Sequence, residues 1–228
     1  MKFIYSLAAL CLFTFIVACK KKDGVNKHLD PNQQEGSNYM STTPGSWWLF
    51  GARNGDVTKR IATGRDTVKN GLKFSYFEKI DTNTAYIAPE YFGKNGINYV
   101  SLFDMDGGQN NYVTLVFLQD DHTSWDNTED YTYEGIKMNL WVKSSIAFSD
   151  GSLTLGGTTY DKVTKVHHEL KGKPQMMASY IDIGTLDVWF AKGIGIIMED
   201  VNVNISLLGT TYVEMKHTDS LLSYHIAE

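Results

Sequence analysis

From residue 46 onward, short runs of aromatic and β-branched residues alternate with two-residue turn signals. Asn54-Gly55, Asn70-Gly71 and Asn95-Gly96 each separate two such runs, and Asp106-Gly107 follows the same pattern. These dipeptides tolerate positive φ at both central positions of a tight turn, so they close antiparallel hairpins. The first half of the folded part is therefore predicted to be a meander of short antiparallel strands.

The second half continues the pattern with longer runs. From Ile136 to Val142 apolar and polar residues alternate, which predicts a strand with one buried face. Asp150-Gly151 and Gly156-Gly157 are predicted to be turns between further strands. Gly193 and Gly195 lie inside a β-type run, where glycine indicates a bulge or a large side chain lying over the backbone.

Helical periodicity is weak throughout the folded part. A short helix between Asp81 and Gly93 stays open, although Pro89 argues against a long one. The polar stretch Asp120–Glu134 is the longest break in the middle of the chain, and another strand is predicted over Met176–Ile183. The predicted fold class is all-β, a mostly antiparallel meander of about a dozen strands in two consecutive curled sheets or half-barrels.

The domain boundaries follow from this pattern. The β domain is predicted to span residues 46–228, with halves at 46–125 and 126–228. Its composition agrees with an all-β protein, because 13% of the residues are aromatic and glycine (20) far outnumbers proline (4). A net charge of −5 provides no basic surface for nucleic acid, so we expect no nucleic-acid partner.

The N-terminus has the order of a secretory leader. Met1-Lys2 is basic, Phe3–Val17 is apolar, and Ala18 is a small residue directly before Cys19. Residues 1–18 are therefore predicted to be a lipoprotein signal peptide, and Cys19 is predicted to carry the lipid. A transmembrane anchor is the alternative, but the apolar run is shorter than the roughly 20 residues that a spanning helix needs.

The residues after the leader are polar. Residues 19–45 begin with three lysines and continue with Asp, Gly, Asn, Gln, Ser and Thr, so they bury too little apolar surface to fold alone. They are predicted to be a flexible tether between the lipid and the β domain. Cys11 leaves with the leader, so the domain is expected to have no disulfide.

Four segments carry a resemblance to a known group of proteins: Cys19–Gly24, Gly157–Val166, Val188–Ile197 and Leu222–Ile226. In these the chain resembles small outer-membrane lipoproteins of Bacteroidota-type bacteria that have no assigned function. The resemblance implies a curled β-sheet architecture and an outer-membrane address, on the periplasmic face or at the cell surface. It implies no activity.

Two residue groups suggest metal binding at first sight. Asp104-Met105-Asp106 resembles the start of a calcium loop, but the loop's twelfth position lacks the required Glu, so a hairpin turn is expected. His167 and His168 are neighbours in a predicted strand and point to opposite faces. His168 is expected in the core and His167 in solvent, so no metal site and no cofactor are predicted.

One polar segment contains residue types that are found in catalytic triads. Asp120, Asp121 and His122 lie close to Ser124, but no nucleophile elbow of the Gly-x-Ser-x-Gly type is present. A polar loop explains these residues better. We therefore predict no catalytic residues and no enzymatic activity.

The tryptophans offer a binding surface instead. Trp141 falls on the polar phase of its strand and is expected to be exposed, and Trp125 lies in the polar stretch before it. Aromatic side chains on a curled sheet form platforms for sugars or apolar ligands, although they also fill β cores. Trp141 and Trp125 are the predicted platform.

Three functions follow as hypotheses. The first is a non-enzymatic cell-envelope lipoprotein, held to the membrane by its lipid, that binds a protein, a glycan or an apolar ligand. The second is a carrier or chaperone of an apolar molecule, which requires an apolar concavity in a β half-barrel. The third is a hydrolase of glycan or peptide, which requires two acids or a nucleophile–base pair within one cleft.

Overall fold

The computed structural model describes residues 39–69, 71–104, 112–119, 122–133, 136–207 and 210–228. The signal peptide at residues 1–18 and the lipid site predicted at Cys19 lie outside these ranges. So do the turn at Asp106-Gly107 and the carboxylates Asp120 and Asp121.

The described residues form strands and turns without a helix, and therefore contain none long and apolar enough to cross a membrane. The strands are β1 (Trp47–Ala52), β2 (Val57–Lys69), β3 (Leu72–Asp81), β4 (Ile87–Asn95), β5 (Asn98–Asp104), β6 (Tyr112–Gln119), β7 (Ser124–Tyr133), β8 (Ile136–Leu155), β9 (Thr158–Pro174), β10 (Ile181–Ala191), β11 (Gly195–Leu207) and β12 (Thr210–His225).

All twelve strands belong to one nearly closed antiparallel sheet, in the order β6-β5-β4-β3-β2-β1-β12-β11-β10-β9-β8-β7. The all-β antiparallel prediction is therefore confirmed. The two halves are each a six-strand meander, and they join through the pairing of β1 with β12. The first and last strands consequently lie in the middle of the sheet, and β6 and β7 are its two edges.

The two edges meet through side chains. Trp125 Nε1 on β7 donates to the carbonyl oxygen of Val116 on β6 at 3.1 Å, and Asn127 Nδ2 donates to that of Thr114 at 3.2 Å. Among the residues that the structure describes, no backbone ladder joins these two strands. Side-chain donors thus satisfy carbonyl groups that a neighbouring strand would otherwise pair.

Glycines at the hairpin turns behave as predicted. Gly55, Gly71, Gly96 and Gly157 have φ between 61° and 91°, the left-handed region that these tight turns require. The turn predicted at Asp150-Gly151 is wrong. The residues lie within β8, where Asp150 has φ of 52° and the pairing with β9 shifts register, so the local signal marks a bulge.

Three further local predictions need correction. The polar break predicted over Asp120–Glu134 contains β7, whose inward positions include the polar Asn127. The region left open for a helix between Asp81 and Gly93 is a turn followed by β4. The strand predicted over Met176–Ile183 begins only at Ile181, because residues 175–180 connect β9 to β10.

The inward faces of the strands share one hydrophobic core. Its fully buried large side chains come from both halves of the sheet: Trp48, Phe77, Leu118, Val142, Val166, Val188, Ile196 and Ile197. A cavity of about 40 Å³ remains beside Met40, Phe92 and Phe117. That volume holds a few water molecules at most, since each water needs roughly 10–15 Å³.

The residues that precede β1 also enter this core. The Tyr39 ring lies 5.6 Å from that of Tyr99 and 6.1 Å from that of Phe190, both in edge contact. Gly195 has φ of 118°, and a Cβ atom added there would lie 3.2 Å from Met40 Sδ, so glycine suits this position under the Met40 side chain. The tether predicted over residues 19–45 therefore packs against the domain from Tyr39 onward.

Arg60 is more deeply buried in the sheet than Asp219, the other buried residue of opposite charge among the described residues. Arg60 on β2 bonds bidentately to Glu90 on β4, through Nε to Oε2 and through Nη2 to Oε1 at 3.2 Å. Its Nη2 also lies 3.7 Å from Glu199 Oε2 on β11. The guanidinium packs between the rings of Phe50 and Phe92 at 5.0 and 5.1 Å, so it links four strands.

Candidate functional site

The candidate site lies on the outward face of β7, β8 and β9. Along β8 the buried positions Met138, Leu140 and Val142 alternate with Asn139 and Trp141 on the outer face. This alternation results from the two-residue period of a strand whose other face is in the core. The same pattern that predicted the strand therefore places an amide and an indole side by side outside the sheet.

A cleft of about 630 Å³ opens at the adjoining end of the sheet, where inward residues such as Tyr131 and Met138 line it together with outward ones. Its volume falls within the range of about 300–1,000 Å³ that is typical of small-molecule sites. The lining comes from β7, β8, β9 and the connection to β10: Asp130, Tyr131, Thr132, Lys137, Met138, Asn139, Lys173, Gln175 and Tyr180.

Hydrogen bonds fix the polar groups in the cleft. The Tyr180 hydroxyl donates to Asn139 Oδ1. Asn139 Nδ2 in turn donates to Asp130 Oδ1 at 2.7 Å. This chain orients the amide, because its two ends are held by different partners.

Trp141 lies beside the cleft against Tyr180. The two ring centroids are 6.1 Å apart and the rings are inclined at 52°. Trp141 Nε1 donates to Asp126 Oδ2 at 3.2 Å, and Lys171 Nζ lies 5.3 Å from the indole centroid. Trp141 is half-buried and Tyr180 is exposed, so the two rings form an aromatic surface bordered by hydrogen-bonding groups.

The charges around the cleft are unequally neutralised. Lys171 Nζ lies 3.4 Å from Asp182 Oδ1. Lys137 and Lys173, which line the cleft, have no ion pair with any described residue, and Lys173 makes only a distant contact with the Tyr180 ring at 5.9 Å. Two ammonium groups therefore border the cleft without a carboxylate partner in this part of the chain.

Two titratable groups on β7 respond to burial. Burial raises the pKa of Tyr131 to about 12, and its hydroxyl donates to Met138 Sδ at 3.3 Å. Burial, with a smaller contribution from Asp130, also raises the pKa of Glu129. Tyr131 therefore stays neutral at physiological pH and serves as a packed wall of the cleft.

Trp125, the other half of the predicted platform, is in the core. It is 8% exposed, its Nε1 donates across the sheet edges, and its ring lies 6.4 Å from that of His168. No open face remains on which a ligand could stack. The sequence placed Trp125 in a loop, whereas it occupies an inward position of β7.

The two adjacent histidines differ in burial, as predicted. His168 is fully buried, and His167 is about a third exposed, with its Nδ1 2.6 Å from Asp187 Oδ1. His168 Nδ1 lies 2.8 Å from Ser144 Oγ, and burial lowers the pKa of His168 to about 3. This hydroxyl–imidazole pair is sealed from solvent, because Ser144 is 1% exposed.

Of the other candidate residues, Asp106, Asp120 and Asp121 lie outside the described ranges. His122 is exposed two residues before β7 begins. Within the described ranges, no three His, Cys, Asp or Glu residues lie close enough to hold a metal ion.

The sequence did not single out Tyr180, Asn139, Lys137 or Lys173. Tyr180 was placed inside a predicted strand, although it ends the connection before β10. A usable signal existed for Asn139 and Lys137, since both share the polar phase of Trp141 in its strand. Lys173 is brought to them by the pairing of β8 with β9, where it lies opposite Asn139.

Comparison with known proteins gives one informative match. No protein-family model matches the chain, and neither does any curated protein. The fold is similar to a crystal structure described as a "putative lipoprotein" from Parabacteroides distasonis, with a TM-score of 0.50 and 8% identity. The match covers 83% of this chain and 99% of the other. It shows a shared all-β fold, and at this identity it shows nothing of a common ligand.

Proposed function

We propose that the protein is a lipid-anchored, non-enzymatic cell-envelope lipoprotein that binds a glycan in the cleft beside Trp141. The observation that carries the proposal is the aromatic surface of Trp141 and Tyr180 next to the oriented amide of Asn139. Sugars present apolar ring faces and many hydroxyl groups. An aromatic surface bordered by hydrogen-bonding groups is complementary to both.

The cleft lies at the end of the sheet opposite the entry of residues 39–46. Strands alternate in direction, so the start of β8 and the end of β9 lie at the sheet end where β1 finishes. Residues 39–46 enter at the opposite end, where β1 begins at Trp47. The chain that precedes β1 therefore joins the described domain at the sheet end remote from the cleft. The outer membrane is the membrane we propose, on the basis of the leader and the resemblance described above.

The other two hypotheses receive less support. A carrier of an apolar molecule needs an interior concavity, whereas the described core leaves a cavity of about 40 Å³. A hydrolase needs two acids or a nucleophile–base pair within one cleft. The described cleft is lined by one carboxylate, Asp130, and the Ser144–His168 pair is buried elsewhere. The lack of enzymatic activity stays a prediction.

The experiment measures glycan binding by the domain from residue 39 to 228. Isothermal titration against neutral and acidic oligosaccharides should give saturable binding to at least one. Trp141→Ala should weaken that binding about tenfold, because loss of a stacked aromatic costs about 1.4 kcal/mol. Trp141→Phe is the matched variant and should keep most of the affinity, since it retains an aromatic face.

Circular dichroism and thermal unfolding of each variant provide the folding control. If no sugar binds the folded domain, or if Trp141→Ala binds as tightly as the unaltered protein, the cleft is not a glycan site. Specific recovery of an envelope protein through the same face would instead favour a protein partner.

A further inference from the structure

The charged side chains around the cleft indicate the charge of the glycan that would bind there. Three aspartates near the cleft each contact a group of the protein: Asp126 and Asp130 on β7 accept from Trp141 and Asn139, and Asp182 on β10 pairs with Lys171. Their negative charges are thereby partly engaged before any ligand arrives.

The two lysines that line the cleft differ from these aspartates in their ion pairing. Lys137 and Lys173 line the cleft and form no ion pair with any residue in the described ranges. They come from neighbouring strands, and Lys173 lies opposite Asn139 in the β8–β9 pairing. Both ammonium groups therefore border the space where a sugar beside Tyr180 would lie.

From this arrangement we infer that the ligand is an acidic glycan whose sugar rings carry carboxylates, that is, a uronate-containing oligosaccharide. This inference rests on the proposed glycan-binding function and adds the charge class of the ligand. The lysines supply positive charge for a carboxylate. Asn139, Gln175 and the Tyr180 hydroxyl supply hydrogen bonds that suit sugar hydroxyls. Lysine binds an anion as a flexible point charge, which agrees with a repeating ligand that can bind in more than one register.

A membrane surface is the competing anionic partner. The aromatic surface of Trp141 and Tyr180 favours a glycan over lipid headgroups, because it is complementary to the face of a sugar ring.

The test compares each acidic oligosaccharide with its own methyl ester, which removes the charge and keeps the sugar backbone. Tetramers of galacturonate, mannuronate and guluronate are titrated into the domain alongside their methyl esters. At least one acid should bind about fivefold more tightly than its ester at low salt, and the preference should shrink as sodium chloride is raised.

Two variants assign the preference to the lysines. In the double variant Lys137→Gln with Lys173→Gln, the acid and its ester should bind with equal affinity. Lys143→Gln is the matched control, because Lys143 lies on the same face of β8 and does not line the cleft. It should retain the preference.

The outcomes separate the two proposals. Equal binding of acid and ester, or exclusive binding of neutral sugars, overturns the acidic class and leaves the glycan function standing. A preference that survives the double lysine variant also overturns the assignment. Binding to vesicles that contain phosphatidylglycerol, with no binding to any oligosaccharide, overturns both.

Discussion

Replacement of Arg60 by Met should be among the most destabilising single changes on β2. The Arg60 side chain is 4% exposed, and its partner Glu90 is 20% exposed. Removal of the guanidinium leaves Glu90, Glu199 and Asp219 as negative groups around an apolar side chain. Breaking a buried pair by deleting one partner costs about 3–5 kcal/mol, so we expect a loss of that order. Methionine keeps much of the contact with Phe50, which limits the additional cavity cost.

Urea unfolding followed by tryptophan fluorescence measures this loss at pH 7. Arg65→Met is the matched control, because Arg65 also lies on β2 but its pair with Glu78 on β3 is an exposed interaction, with Arg65 63% exposed. Its loss should cost less than about 1 kcal/mol. The pair of substitutions Arg60→Met and Glu90→Gln should cost less than the sum of the single changes, because no unpaired charge remains at Glu90.

The pH dependence provides a second test of the same reasoning. Burial alone would raise the pKa of Glu90, but Arg60 and Lys79 outweigh it and lower the pKa below its ordinary value of 4.5. Glu90 therefore binds a proton more readily in the unfolded chain than in the folded protein. The stabilisation is present above about pH 4.5 and is lost as the pH falls through the folded pKa.

Without Arg60, the direction of the Glu90 pKa shift reverses. Burial then dominates at Glu90 and raises its pKa, so protonation favours the folded variant. The difference in unfolding free energy between the parent and Arg60→Met should shrink between pH 7 and pH 4. A variant within about 1 kcal/mol of the parent at pH 7, or a difference that is constant with pH, would refute this account of the buried arginine.

Two further predictions concern the backbone and the anchor. Gly184→Ala should cost more than about 3 kcal/mol in urea unfolding, because φ is 136° and a Cβ atom would lie 2.0 Å from the Asn202 carbonyl oxygen. Gly55→Ala, at φ of 91° with nothing within 4 Å, should cost only about 1 kcal/mol, and equal losses would contradict the contact. Cys19→Ser should move the protein from the membrane fraction to the soluble fraction with an unchanged thermal unfolding midpoint. Retention in the membrane would contradict lipid attachment at this residue.

The fold was predictable where one local signal had one structural meaning. Asn54-Gly55 and Gly156-Gly157 form tight turns between strands, and the alternation around Met138 marks the buried face of β8. Asp150 carries a similar turn signal but lies in a bulge, because positive φ serves either structure. The two cases differ only in how the next strand pairs, which depends on residues far away in the chain.

The candidate site was predictable in part. The polar phase of β8 correctly placed Trp141 on the outer face. The burial of Trp125 was not predicted, because the inward positions of β7 include the polar Asn127. Asn127 bonds across the sheet edges and interrupts the apolar alternation that would indicate a strand. The sequence did not single out Arg60, because the acids around it come from three other strands.

The pairing of β1 with β12 has a consequence for synthesis and export. A chain that emerges N-terminus first completes β1 early, and one edge of that strand stays unpaired until β12 has been synthesised. Until β12 arrives, β1 has an open edge that carries Trp48 and Phe50, the kind of edge that attracts other chains. Premature termination within Thr210–His225 would therefore remove pairing in the middle of the sheet rather than shorten the sheet at one edge.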